Sequence, residues 1–542
     1  MPLRLILLPQ RKLIERSEIV EHIATKMNVI DESLLSKMHD KINTLGKMEH
    51  ALVPDDQGED ARENPWKAIY MFLFQKYARY AVLSHTWLPS GEILYRDTLK
   101  DDWWDQASGS GLEKLRGFCD VAHRDHNVTL GWTDTLCINK DSSAELDESI
   151  QSMYKWYQNA TVCITHLRDT TSPEEMGSDN WFQRGWTLQE LIASRNIHFY
   201  GKNWTRLISD ANGNDKANPR VQEIIYKATG IQAEDLVSFD PLKGSDVATR
   251  MRWAANRKTS RGEDRAYSLM GIFGVNFSIS YGEGAERAFF RLIEAIISSR
   301  HTRHIIQILN WAGKAISDKV HPSNLIPSSP ECYLHNNTEI NTADPDLKSL
   351  ELGGIYPALS EPMVLTHLGL RVRLLLVHLT ETIGFPADPD EPGYGTFNIS
   401  FKVHPSTRTF SLEKQFSKIP DTDSLLQFYN PQITTPSNSA FFLGIYTFQE
   451  DIRNDCIYLP FSACAFFLGI PSPYPKFSVR DISSSDFGPV AKIDTREVIQ
   501  LYPEAYSGTF GPCIDIDFSK GCIVIKKESF KFLDMKLLDV YL

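Results

Sequence analysis

The sequence predicts an α/β protein, with a parallel sheet covered by helices on both faces over residues 80–205, then a helical segment, then a β-rich C-terminal domain. Three observations carry this. Between Tyr80 and Tyr200, short apolar runs alternate with amphipathic stretches in the order strand, helix, strand, helix, strand, helix, strand, and right-handed crossovers turn that order into a parallel sheet. Residues 206–304 keep helical periodicity. From residue 305 to 542 the composition shifts toward Pro, Ser, Thr and aromatics, with short β-rich segments separated by turn residues.

A chain of 542 residues exceeds what one hydrophobic core normally serves, so several domains are expected. Hydrophobic content of 42% and charged content of 23% are those of a soluble globular protein with a large core. The net charge of −12 argues against nucleic acid as a partner, because phosphate neutralisation needs a basic surface. The N-terminal apolar run is broken by Arg4 and Pro9, and Ala463 to Ile470 stops at Pro471. Neither is long enough for a signal segment or a membrane span, so a cytoplasmic protein is expected. The eight cysteines are dispersed, with no CxxC pair and no Cys/His cluster at zinc spacing, which indicates neither a disulfide framework nor a metal site.

Taken in order, residues 1–79 read as a mainly helical lead-in. Ile19, Ile23, Met27 and then Leu34, Leu35, Met38 recur at helical spacing, and Pro54 to Pro65 is an acidic loop. YAVLSHTW, from Tyr80, reads as a buried strand whose carboxyl end carries Ser84, His85 and Trp87, where open α/β sheets bind ligands. Ser84 and His85 do not form a dyad, because adjacent strand residues point to opposite faces. A helix follows through Leu112, Leu115, Phe118 and Cys119. Val128 to Ile138 reads as the second strand, with Asp134 and Cys137 near its end; an Asp there needs a partner, and Cys137 is a small buried hydrophobe unless a basic group lowers its pKa.

Glu145 to Ala160 is the clearest helix, with Ile150, Met153, Tyr154 and Tyr157 on one face. Thr161 to Leu167 is a third strand, Arg168 to Asn180 a polar loop, and Asn196 to Tyr200 a fourth strand. Between them lies WFQRGWTLQELIAS, Trp181 to Ser194. Its Trp186, Gln189 and Glu190 fall at helical spacings of three and four, so an indole, an amide and a carboxylate share one neighbourhood. That stretch is either an ordinary amphipathic helix with a solvated Glu190 or the carboxylate of an active site. Further on, Arg252, Arg257, Lys258, Arg261 and Arg265 could hold phosphates or form a solvated face paired with Glu263 and Asp264. In the C-terminal part Leu370 to Val377, Thr396 to Val403, Ala440 to Tyr446 and Gly521 to Lys526 read as antiparallel strands.

Three blocks, YAVLSHTW, LGWTDTLCINKDSSAELDESIQSMYKWYQNATVCITHL and WFQRGWTLQELIAS, resemble the fungal heterokaryon incompatibility (HET) domain in order and spacing. RWAANRKTSRGEDRAYSLMGIF and YGEGAERAFFRLIEAII look like the segment that follows it in basidiomycete members, so the resemblance covers residues 80–300. Leu88 and Lys140 depart from it, standing where a glycine and a glutamine are frequent. The resemblance implies a role in non-self recognition and programmed cell death. HET domains are in turn similar to TIR domains, which have a flavodoxin-like sheet and a W-C-x-x-E-L helix; Trp186 to Leu191 stands in that pattern with Thr187 replacing Cys.

By that resemblance Glu190 is the candidate catalytic residue for cleaving NAD, as substrate and not cofactor, at the nicotinamide ribosyl bond. Ser84, His85, Trp87, Asp134, Cys137, Trp186 and Gln189 are the candidate substrate-binding set, the tryptophans stacking on a ring and the polar groups fixing it. A homo-oligomer formed on activation and a protein partner in non-self recognition are also implied. The alternative is a non-enzymatic signalling module that acts by recruiting partners, and a phosphate sensor using the Arg252 to Arg265 group is the third reading.

Overall fold

The computed structural model describes residues 1–27, 78–100, 102–208, 213–242 and 245–299 continuously, parts of 308–334, and from 363 onward mainly the strands and their adjoining turns. The expected helix at Leu34 to Met38 and the loop Pro54 to Pro65 lie outside the described residues. The chain divides into two compact units, Met1–Asp240 and Pro241–Leu542.

The first unit is built on a six-stranded mixed sheet in the order Lys12–Glu15 (β2), Arg4–Leu7 (β1), Leu130–Trp132 (β4), Tyr80–His85 (β3), Val162–His166 (β5), Ile197–Tyr200 (β6). The four inner and far strands, β3 (Tyr80–His85), β4 (Leu130–Trp132), β5 (Val162–His166) and β6 (Ile197–Tyr200), run parallel. Each is wholly buried, which is why each reads as a continuous apolar run and not as an alternation. The crossover helices are α2 (Ser110–Arg124), α3 (Ser143–Asn159) and α4 (Gly185–Ala193). From β3 the chain steps to β4 on one side, then crosses back to β5 and β6 on the other. With right-handed crossovers this puts α2 on one face and α3 with α4 on the opposite face.

The periodicity of α3 is realised as expected. Ile150, Met153, Tyr154 and Tyr157 are buried, and the Ser142 hydroxyl caps the helix by accepting from the Glu145 amide. Tyr80 OH donates to Trp156 O at 2.6 Å, and the Trp132 ring meets Trp156 and Tyr157 edge-on, so α3 is bound to the centre of the sheet.

Two expectations are corrected here. The second strand ends at Trp132, because Thr133 stays extended and the chain then winds into a single helical turn, Asp134–Cys137, closed by Cys137 N on Thr133 O at 2.9 Å. Asp134 therefore heads a turn at the carboxyl end of the sheet and does not sit inside a strand. The N-terminal residues are not helical alone: β1 (Arg4–Leu7) and β2 (Lys12–Glu15) form a hairpin before α1 (Arg16–Met27), and β1 pairs antiparallel with the edge of β4. Arg4 fixes this hairpin, reaching Glu15 at 2.6 Å and both oxygens of Glu145 at the start of α3. At the contact Gly131 is required, since a Cβ there would lie 2.8 Å from Leu8 Cδ2 and 2.9 Å from Phe118 Cε1.

The second unit opens with α5 (Val247–Ala255) and α6 (Ala285–Ser298), the latter burying Ala288, Phe289, Leu292, Ile293 and Ile296 on one face. Its later part is antiparallel β as expected. Among the described residues there is a nine-stranded sheet, whose longest strand is Gly369–Phe385, and a separate four-stranded sheet containing Cys456–Pro460 and Cys522–Lys526. The basic group is dispersed within this unit: Arg252 donates to Thr249 Oγ1, Arg257 to Trp253 O, Arg261 lies over the Tyr281 ring, and Arg265 pairs with Glu331. Among the described residues, no helix is long and apolar enough to cross a membrane.

Candidate active site

In a doubly wound sheet the crevice lies at the carboxyl ends of the strands where the strand order reverses. Here that strand is β3, flanked by β4 and β5, and its last two residues are Ser84 and His85. The pleat sends them to opposite faces, and two separate polar clusters form.

On the α3/α4 face, Ser84 Oγ donates to Glu190 Oε2 and accepts from Trp181 Nε1 at 2.8 Å. Glu190 sits at the middle of α4 with 8% of its surface exposed, so it is not the solvated residue of an ordinary amphipathic helix. Burial pushes its carboxyl up to about 7, and the nearby charge of Asp134 adds to this; the Ser84 hydrogen bond, Arg184 and Tyr157 act in the opposite direction. The Tyr157 hydroxyl donates to Leu83 O at 3.1 Å, within the same strand end. A carboxyl group titrating near neutrality in a buried, hydrogen-bonded setting is suited to change protonation state during a reaction.

Local sequence explains how Glu190 is presented. Asp179 accepts from the Trp181 amide and from Thr170 Oγ1, turning the chain into Asn180–Gln183. The Thr187 hydroxyl then donates to Trp181 O and Arg184 O, stitching that turn to the first turn of α4. At the other end Ser194 Oγ donates to Glu190 O, and Lys216 Nζ donates to Ile192 O and Ser194 O at 3.3 and 2.7 Å. These bonds satisfy carbonyls at the helix end that have no partner within the helix.

The second cluster gathers around Asp134. Its Oδ1 accepts from His85 Nε2 at 3.0 Å, and its Oδ2 from Trp87 Nε1 at 3.0 Å and Lys140 Nζ at 3.1 Å. The Lys140 ammonium also lies 3.6 Å from the centroid of the Trp87 ring. Burial would raise the Asp134 carboxyl, but Lys140 and His85 outweigh it and hold the group well below the usual carboxylate range. An ionised carboxylate only accepts, so His85 is the donor through Nε2. Burial and then the Lys114 charge push the His85 imidazolium pKa down, leaving the ring neutral near pH 7. Behind it, Lys114 of α2 pairs with Glu92, which also accepts from the Leu88 amide at 2.9 Å.

The structure thus brings Ser84 to Glu190, and His85 and Trp87 to Asp134. Gln189 is buried, and its amide nitrogen has no hydrogen-bond partner among the described residues. Trp186 is half-buried on α4. Cys137 is buried, and burial pushes its thiol up to about 12, so it is a poor nucleophile. Sequence reasoning missed Trp181 as a partner of Ser84, and also Lys114, Glu92 and Lys216. A lysine between Leu112 and Leu115 was the one local signal, since Lys114 falls on the apolar face of α2; Lys216 has no comparable signature.

Residues 80–177 match the model of the family described as heterokaryon incompatibility protein (HET). Over 229 residues the chain is 42% identical to the vegetative incompatibility protein HET-E-1 of Podospora anserina, an alignment covering 40% of this chain. It spans 16% of that curated relative's length. No solved structure gives a significant match.

Proposed function

On the premise that residues 80–177 form a HET domain, we propose that this chain is an intracellular incompatibility and cell-death effector that cleaves NAD at the nicotinamide ribosyl bond, with Glu190 as the catalytic carboxylate and self-association as the activating step. The observation that carries the reading is the position of Glu190: buried at the carboxyl end of the central parallel strand, bonded to Ser84, and titrating near neutrality.

The chemistry asks little more of the protein. Nicotinamide leaves as a neutral molecule, taking the electron pair of the C1′–N bond, so no strong general acid is needed. Water adds to C1′ and loses a proton, giving ADP-ribose. A carboxylate that binds the ribose hydroxyls and faces the oxocarbenium-like transition state lowers the barrier. The TIR-like character of the domain and a protein partner in non-self recognition belong to the same proposal. Nicotinamide release from NAD by the assembled full chain tests it. Release by the wild type, reduced about a hundredfold or more by Glu190→Ala, is expected; no release, or equal release by both, overturns it.

A second reading is favoured by the same bonds. The chain Trp181 to Ser84 to Glu190 ties α4 to β3, as a structural staple does in a module that acts only by recruiting partners. Cell killing that survives Glu190→Gln would select this reading.

A further inference from the structure

The Asp134 cluster contains a fixed part and a movable part. Asp134 is held by His85, a buried ring, and in turn holds the edge of Trp87 through the indole N–H. These bonds set the face of the indole beside a carboxylate that stays ionised. Lys140 is different: its side chain is 33% exposed, and it reaches the pair from the end of a flexible stem. Its ammonium occupies the position between the ring face and the carboxylate, 3.6 Å from the Trp87 centroid and 3.1 Å from Asp134 Oδ2. Because its stem reaches solvent, the ammonium can leave without breaking the His85 and Trp87 bonds to Asp134, and a competing cation that replaces its charge can take the position.

We propose that Trp87 and Asp134 form a subsite for a flat aromatic monocation, such as the nicotinamidium end of NAD, and that Lys140 is the intramolecular occupant which that cation displaces. A planar cation suits the subsite better than an ammonium does. It covers the indole face with ring area as well as charge, and its diffuse charge is more weakly hydrated, so less is lost on leaving water. The displaced lysine swings to solvent, and the net charge beside Asp134 is conserved. Taking the cation to be the nicotinamide end rests on the NAD-cleaving reading; the subsite itself rests on the geometry of Trp87, Asp134 and Lys140.

Isothermal titration of the full chain with 1-methylnicotinamide tests this, with neutral nicotinamide as the comparison ligand and Glu190→Gln as the protein background, so that binding is read apart from turnover. The cation is expected to bind about tenfold or more tightly than the neutral ring, and Lys140→Met to tighten cation binding about three- to tenfold. Lys140 is partly exposed, so this variant folds irrespective of the outcome at Trp87. Trp87→Leu is expected to abolish binding. Equal affinity for charged and neutral rings, or an affinity that Lys140→Met leaves unchanged or weakens, overturns the proposal. Cation binding that obeys Lys140 without NAD cleavage by the wild type overturns the catalytic reading alone; cleavage with cation binding indifferent to Lys140 overturns the subsite alone.

Discussion

At the scale of single residues, burial and one hydrogen bond pull Glu190 in opposite directions. Burial raises its pKa to about 7, and the bond from Ser84 favours the ionised form. If the carboxylate is the active species, NAD cleavage should rise through about pH 7 and then level off. Ser84→Ala removes a contribution that lowers the pKa, so the inflection should move upward by about one unit. The pH dependence of initial rates for the two proteins measures this, and an unmoved inflection would detach Ser84 from the titration. Stability follows the same group. Between pH 4.5 and about 7 the folded state binds a proton that the unfolded state has released, so Glu190 makes the fold less stable as pH rises through that window. Glu190→Gln should therefore gain on the wild type by about 1–3 kcal/mol between pH 5 and 8, read from urea midpoints at the two pH values.

At the scale of elements, α4 depends on a residue more than twenty positions beyond it. Lys216 is 1% exposed and holds two carbonyls at the end of the helix. Burial pushes its ammonium down to about 7, with Cys163 acting the other way. Between pH 7 and 10.5 the unfolded chain binds this proton and the folded chain does not, so the cost of burying the charge is relieved and stability rises with pH. Lys216→Met should lose that rise and, at pH 9, should fall below the wild type by about 1–3 kcal/mol through the unpaired carbonyls. Urea titrations at pH 7 and 9 distinguish this from an exposed lysine. A second element-level constraint is the approach of α2 to the Trp204 ring. A Cβ at Gly117 would lie 2.0 Å from Trp204 Nε1, and that ring stacks on His166 with centroids 4.2 Å apart. Gly117→Ala must move Trp204, and a loss of about 1–3 kcal/mol is expected in thermal unfolding.

At the scale of the whole molecule, the parallel strands and their helices were legible because each signal is local: apolar runs of strand length, the face of α3, and the spacing of Trp186, Gln189 and Glu190. The strand order is not a local signal: β3 between β4 and β5 was implied only through the resemblance to a flavodoxin-like sheet, because that pairing depends on contacts far apart in sequence. The hairpin of β1 and β2 escaped for another reason. Its turn places Arg11 at φ 56°, a position where glycine or asparagine would have signalled a reversal. The hairpin has a job that only the assembled sheet reveals, covering the edge of β4 through the register of Ile6 with Gly131 and Leu7 with Leu130. Removing residues 1–15 should expose that edge, and the truncated protein should form more higher-order species on size exclusion than the full chain at the same concentration. The polar site was half legible: spacing put Trp186, Gln189 and Glu190 in one neighbourhood and the resemblance singled out Glu190, whereas its bond to Ser84 spans 106 positions.

The alternation at the end of β3 has one more consequence. Ser84 and His85 are neighbours in the chain yet belong to different hydrogen-bonded clusters of one strand end, one built around Glu190 and the other around Asp134. The strand end lies between them, near enough that the Asp134 charge raises the Glu190 pKa, and a step of one residue along it moves a side chain from one cluster to the other. Deleting a single residue from Tyr80 to Ser84 would therefore do more than shorten a strand: it would deliver the His85 imidazole to Glu190 and Thr86 to Asp134, changing the contents of both clusters at once.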